Sequence, residues 1–216
     1  MAVLSDYIKW RGDLEFWQDG FNEFDNLVFS AISYVMMDDI FDSSECKVLS
    51  LKLISDTYFS EGYEPKKYGI NSVLNNTPEI LRQAAESRRY ENVMIRNYVS
   101  TVDVSRTLQF AAMEFLLPDG TSYIAFRGTD DTIVGWKEDF MMSVSETAAE
   151  RDAVAYLNLV ASCSRRLLRI GGHSKGGHLA VYAAALCEEK IRERILQIFS
   201  NDGPGFTEDF IKDKRT

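Results

Sequence analysis

Apolar positions recur at helical spacing near the start of the chain. In "FNEFDNLVFSAISYVMMDD", Phe24, Leu27, Val28, Ala31, Ile32 and Val35 fall on one stripe, which predicts a core-facing helix from Glu23 to Met37. "VLSLKLISDTYF" and "TPEILRQAAESRRY" read as two further helices, the second with Thr77 as its cap and Pro78 at the first helical position. From "ENVMIRNYVSTVDV" onward β-branched and aromatic residues take over. "TLQFAAMEFLL", "PDG" and "TSYIAF" then read as a strand, a tight turn and a strand. "TAAERDAVAYLNLVASC" opens on a capping box, Thr147 with Glu150, and carries a helical apolar stripe; "RRLLRI" is a short strand. The helix after Ser174 is apolar almost all round and is expected to be buried, and "RILQIFS" supplies one more strand. Helices alternating with short strands after residue 93 predict an α/β fold with a mainly parallel central sheet. With no repeat, low-complexity tract or linker, residues 1–216 are expected to form one domain, a mostly helical portion (1–90) packing on a sheet core (91–216).

Composition narrows the function classes. The chain has 216 residues, 45% of them hydrophobic and 12% aromatic, enough for a substantial core. Lys and Arg number 24 against 33 Asp and Glu, so 24 − 33 = −9, and no long basic run is present. A phosphate-tracking nucleic-acid surface is therefore not expected. Cys46, Cys163 and Cys187 are widely spaced without a CxxC pair, which fits reduced thiols and predicts no metal site. Neither a signal-peptide pattern nor an apolar run of about 18 residues is seen, so a cytoplasmic location is expected. The aromatics of "IKWRGDLEFW" are read as closing a core in preference to contacting a partner or membrane surface.

The chemistry concentrates in "RIGGHSKGGHLAVYAA", residues 169–184. A strand, then GxSxG, then a helix is the sequence of a nucleophile elbow, in which Gly172 and Gly176 must lack side chains and Ser174 is held up on a strained turn. The following helix start offers the Lys175 backbone N–H to a developing oxyanion. A phosphate loop requires GxxxxGK[ST], and a dinucleotide fingerprint requires a glycine where His173 or Ser174 stands; both fail on those residues. A glycine-rich corner with an incidental serine is the competing structural reading. Upstream, "YIAFRGTDD" ends a buried strand on Gly128 and Thr129, which could supply the second oxyanion donor; as an ordinary turn it would use Thr129 or Asp130 to cap a helix containing Trp136.

"YIAFRGT", the downstream "WKEDF" and "GGHSKGG" resemble the lipase class 3 branch of the α/β-hydrolases. "DYIKWRGDLEFWQDGFNEFDNLVFSAISY", "AFRGTDDTIVGWKEDF", "GGHSKGGHLAVYAA" and "NDGPGF" are more similar still to a bacterial lipase-like family of unknown function related to that branch, from about Asp6 to Phe210. The resemblance implies an α/β-hydrolase-like fold, Ser174 as nucleophile, Thr129 and Lys175 as oxyanion-hole residues, no cofactor, and a small acyl ester, with lipids as a candidate class. His178 departs from it, since Asn is usual there.

A serine nucleophile also needs a base. His173 directly precedes Ser174 and should pack or bond beneath the strand, while His178, one turn into the helix, should approach from the buried side. The Lys175 side chain is expected to point to solvent. α/β-Hydrolases place the acid and then the histidine on loops after later strands. Only "RILQIFS" follows the elbow helix here, so the C-terminal strands and their histidine are expected to be missing from a truncated pattern. Asp202 in "SNDGPGF" is a candidate acid, with a plain turn over 201–204 as the alternative. The resulting expectation is a serine hydrolase of lipase or esterase type acting on an ester or thioester. The alternative is a hydrolase-like binding or interaction module without catalysis.

Overall fold

A computed structural model describes residues 3–41, 47–64, 73–129, 135, 140–142 and 145–213. Cys46, Asp130 and Trp136 lie outside them. Helices α1 (Val3–Arg11) and α2 (Glu23–Ile32) precede strand β1 (Val48–Ser50) and helices α3 (Leu51–Tyr58) and α4 (Thr77–Glu86). Strands β2 (Met94–Asp103), β3 (Leu108–Leu116) and β4 (Ser122–Phe126) follow. The chain then runs α5 (Ala148–Ser162), β5 (Leu168–His173), α6 (Lys175–Leu186), α7 (Glu189–Arg192), β6 (Ile195–Asn201) and α8 (Glu208–Lys212).

The six strands lie in sequence order, β1-β2-β3-β4-β5-β6. The sheet is mixed and mostly antiparallel, not mainly parallel as expected: β1 to β4 pair antiparallel, and only β4·β5 and β5·β6 are parallel. From β2 onward the chain length between strands decides this, whereas β1 pairs antiparallel with β2 across the longer connection that holds α3 and α4. Tight turns join β2 to β3 and β3 to β4 and must reverse the chain, whereas α5 and α6 lie between the parallel strands and carry it back.

Both faces of the sheet are covered, so β3 and β4 read as continuous apolar runs. Tyr123 and Ala125 of β4 join an apolar cluster with Val28, Phe29 and Ile32 of α2 and Leu81 of α4. Ile124 and Phe126 point the other way, to Leu157 of α5 and to Leu179, Ala180 and Ala183 of α6. The Thr147–Glu150 capping box and the buried elbow helix are present as expected.

Several local expectations are corrected. α2 stops at Ile32 because Tyr34 and Val35 make short i→i−3 turns and Arg127 takes the carbonyls of Ser33 (2.6 Å) and Val35 (3.2 Å). Its buried face includes Asp25, Asn26, Ser30 and Ser33, while Phe24 is exposed. The stretch read as a helix over 48–59 starts as β1, and Ser50 then caps α3 by accepting from Leu53 N at 3.1 Å. Thr77 is the first helical residue, with Asn76 at the cap position, and its Oγ1 donates to the Leu74 carbonyl (2.7 Å). Ile8 and Phe16 are buried, but Trp10 and Trp17 are 79% and 76% exposed and close no core. Among the described residues no helix is long and apolar enough to cross a membrane.

Candidate active site

β5 runs buried through the middle of the parallel half of the sheet and ends at His173. Ser174 then turns the chain with φ +55° and ψ −129°, a conformation that L side chains rarely adopt, and α6 begins at Lys175. Such a conformation stores roughly 1–3 kcal/mol, which the surroundings must offset. Three hydrogen bonds hold it: Ser174 N donates to the Asn201 carbonyl (2.8 Å), and its carbonyl accepts from Gly177 N (2.9 Å) and His178 N (3.3 Å). The serine is half-buried, and its Oγ makes no hydrogen bond among the described residues.

The turn is this tight because β4 ends directly against it. A Cβ on Gly172 would collide with the Phe126 carbonyl oxygen and lie 2.5 Å from the Gly176 carbonyl carbon. One on Gly176 would meet the same Phe126 oxygen and sit 3.0 Å from the Arg127 carbonyl carbon. Those two glycines therefore let the "RGT" end of β4 touch the elbow.

That end is anchored by a residue whose role the sequence did not reveal. Arg127 is buried; besides binding the two α2-terminal carbonyls, its Nη2 donates to Tyr98 OH at 3.1 Å. Gly128 is wedged between the Tyr34 hydroxyl and the His173 carbonyl, where any side chain would clash. Thr129 follows immediately, so the structure brings Thr129, Ser174 and the Lys175 backbone to one end of the sheet. Asp202 arrives there too: its neighbour Asn201 is in register with His173, and Asp202 itself is exposed at φ +56°.

Three side chains define what could move a proton. Lys175 does not point to solvent as expected. It is 1% exposed, and its Nζ donates to the Gln109 carbonyl (2.8 Å) and Oε1 (3.2 Å) of β3. The long stem lets the amine reach acceptors at the sheet end without leaving the core. His178 is equally buried. Its Nε2 faces Glu150 Oε1 at 2.9 Å, its Nδ1 faces the Pro204 carbonyl at 3.2 Å, and its ring stacks on Phe206 at 4.3 Å. Both nitrogens are thus committed away from Ser174. The His173 ring is exposed, with Nδ1 3.0 Å from Tyr34 OH and no bond at Nε2 among the described residues.

Beneath the elbow, on the α2 side, lies a polar network also absent from the sequence reading. Asn201 Nδ2 donates to the Gly172 carbonyl (2.9 Å) and to Ser30 Oγ (3.1 Å), and Asn26 Nδ2 donates to Asn201 Oδ1 (2.8 Å). Burial pushes the Tyr123 phenol up, against the effect of its Ser30 hydrogen bond, so its proton stays available to Asn26 Oδ1 at 2.7 Å. The signal was there: Asn26 and Ser30 sit four apart amid the apolar residues of α2, a spacing that puts both on one helical face.

No curated protein and no solved structure matches the chain. The model of the Mbeg1-like family matches residues 84–215, 132 of 216 residues, a stretch that includes Ser174, its two flanking glycines and the end of β4. The chain is a member of the Mbeg1-like family.

Proposed function

We propose that this chain is a serine hydrolase of the α/β-hydrolase type, acting on a carboxylic ester or thioester, with lipids as the favoured substrate class. The observation that carries this reading is Ser174 itself: a hydroxyl with no hydrogen bond among the described residues, at φ +55° and ψ −129°, on a strand-to-helix turn too tight for a side chain two residues to either side. Ser174 Oγ would attack the acyl carbonyl and form an acyl-enzyme, the alcohol or thiol would leave with a proton, and water would release the acid. The Lys175 and Thr129 backbone N–H groups supply the oxyanion donors, each worth ~100-fold to ~1000-fold in rate. Asp202 stands at the same sheet end as the acid of such a site.

A second reading, a hydrolase-like binding module without turnover, is supported by His178, whose two nitrogens are taken by Glu150 and Pro204. Reaction with a fluorophosphonate probe separates the two, because it requires an activated serine. Labelling of the wild type and its loss in Ser174→Ala supports the hydrolase. Wild-type labelling no greater than that of Ser174→Ala favours the binding module.

A further inference from the structure

The hydrogen bonds around His178 limit how many protons its buried ring can carry. Nδ1 faces the Pro204 carbonyl at 3.2 Å, and a carbonyl only accepts, so Nδ1 carries a hydrogen. Nε2 faces Glu150 Oε1 at 2.9 Å. With Nδ1 protonated, a neutral ring would set the Nε2 lone pair against a carboxylate oxygen, so a further proton lies between the two. The other Glu150 oxygen, Oε2, accepts from Thr147 N (2.6 Å) and Thr147 Oγ1 (3.0 Å) in the α5 capping box. Phe206 and Tyr182 stack along the ring, and the Tyr182 hydroxyl is turned to Glu146 at 2.7 Å. Among the described residues Glu150 is therefore the carboxylate that His178 meets.

We propose that His178 is a buried imidazolium that clamps the turn after β6 onto the start of α6, and is thereby a positioning residue for Asp202. Its part in catalysis rests on the hydrolase reading above; the clamp itself does not. The turn is pinned at both ends. Upstream, Asn201 Nδ2 bonds the Gly172 carbonyl and Ser30, and the Asn201 carbonyl accepts from Ser174 N. Downstream, a Cβ on Gly203 would lie 2.9 Å from His178 N and 3.1 Å from the Gly177 carbonyl carbon, so the chain rests directly on the first turn of α6. Pro204 is then taken by His178 Nδ1. Asp202 stands between these anchors at φ +56°. The charge matters because a neutral ring has one N–H and could hold Pro204 or Glu150, but not both. With two, it ties the Asp202 turn through α6 to the capping residue of α5, and a charge-assisted bond makes that tie the stronger one.

Nitrogen-15 NMR of the ring tests this directly. In the wild type at about pH 7.5, where an unperturbed imidazole is mostly neutral, both Nδ1 and Nε2 of His178 should carry hydrogens. Glu150→Gln keeps a capping residue and offers an amide N–H to Nε2, so its ring should be neutral and still bonded to Pro204. Backbone relaxation at Asp202, Gly203, Gly205 and Phe206 reads the clamp. Order parameters there should stay at the wild-type level in Glu150→Gln. His178→Phe keeps a ring to stack on Phe206 but removes both donors, and order should fall from about 0.85 toward about 0.6. Fluorophosphonate labelling of Ser174 should slow by at least about tenfold in that variant. If His178→Phe fails to fold, the ring measurements on the wild type and Glu150→Gln decide. A neutral His178 in the wild type overturns the proposal, as does a doubly protonated ring in Glu150→Gln or unchanged order at 202–206 in His178→Phe. A wild type that takes no label fails the hydrolase reading alone, because the ring and relaxation measurements need no activity.

Discussion

The two faces of the sheet hold the Ser174 turn by different chemistry. On the α2 face the contacts are polar and directional. Asn26, Ser30, Tyr123 and Asn201 bond one another and the Gly172 carbonyl, Arg127 binds the carbonyls after α2, and Tyr34 reaches His173. Behind them Asp25 is fully buried, with Arg89 at 2.6 Å and Tyr90 OH also at 2.6 Å. On the α5/α6 face the contacts are mostly small and apolar, Ala153, Leu157, Leu179, Ala180 and Ala183, with Glu150–His178 and Lys175 as buried polar insertions. Apolar packing lets a helix close on a strand but tolerates small shifts. A satisfied buried network fixes atoms in place, because a displaced partner leaves a desolvated group costing about 1–3 kcal/mol. The structure thus uses one face to hold the turn down and the other to set where its backbone sits.

The largest test of that division is Asp25→Ala. It strands Arg89 inside the α2 layer, removes a partner of Tyr90 and opens the Asn22–Asp25 capping box, so urea unfolding should show a loss of roughly 3–5 kcal/mol. Glu150→Ala, on the opposite face, deletes the α5 capping box and the His178 partner, and should cost roughly 2–4 kcal/mol. A larger loss from Glu150→Ala than from Asp25→Ala would show that the α2 face is not the more strongly specified one. Next comes the turn held between them. Ser174→Gly should unfold at higher denaturant than Ser174→Ala, by about 1 kcal/mol, since glycine relieves φ +55° while alanine retains it. Equal midpoints would mean the turn stores no strain.

These contrasts also explain what could be read from the letters. The elbow was legible because its requirements are local: two glycines, a serine, a strand before and a helix after. The capping box of α5 was legible for the same reason. The sheet's handedness of pairing was legible only in part. "PDG" already demanded an antiparallel hairpin, yet the alternation of helices later in the chain drew the whole sheet toward parallel. The buried face of α2 was legible only in part, because hydrophobic spacing marks apolar positions and carries no sign that Asp25, Asn26, Ser30 and Ser33 are buried as well. Their partners, Arg89, Tyr123, Asn201 and Arg127, lie from 64 to 175 residues away in sequence for the bonds concerned. No local pattern announces a bond of that span. Lys175 failed on a similar point, since its destination, Gln109 of β3, lies 66 residues away in sequence.

The smallest expected change in stability gives the sharpest separation of the two faces. Tyr34→Phe and Tyr182→Phe each delete one phenol hydroxyl next to a segment that leads into the site. Tyr34 OH lies 3.0 Å from His173 Nδ1, 3.3 Å from the His173 carbonyl and against Gly128, whereas Tyr182 OH donates to Glu146 Oε1 at 2.7 Å. That bond, ahead of one from Arg151, holds the Glu146 carboxyl below its usual range. Each substitution should cost roughly 0.5–1.5 kcal/mol, the usual net worth of one hydrogen bond. Their effects on Ser174 should differ. Without its hydroxyl, Tyr34 no longer fixes the His173 ring or the Gly128–Thr129 approach, and fluorophosphonate labelling should slow by roughly tenfold, as small misplacements of reacting groups do. Tyr182→Phe, behind α6, should label at the wild-type rate. Equal slowing in both variants would mean that position is not set from the α2 face, and that the elbow responds to general loosening of the fold.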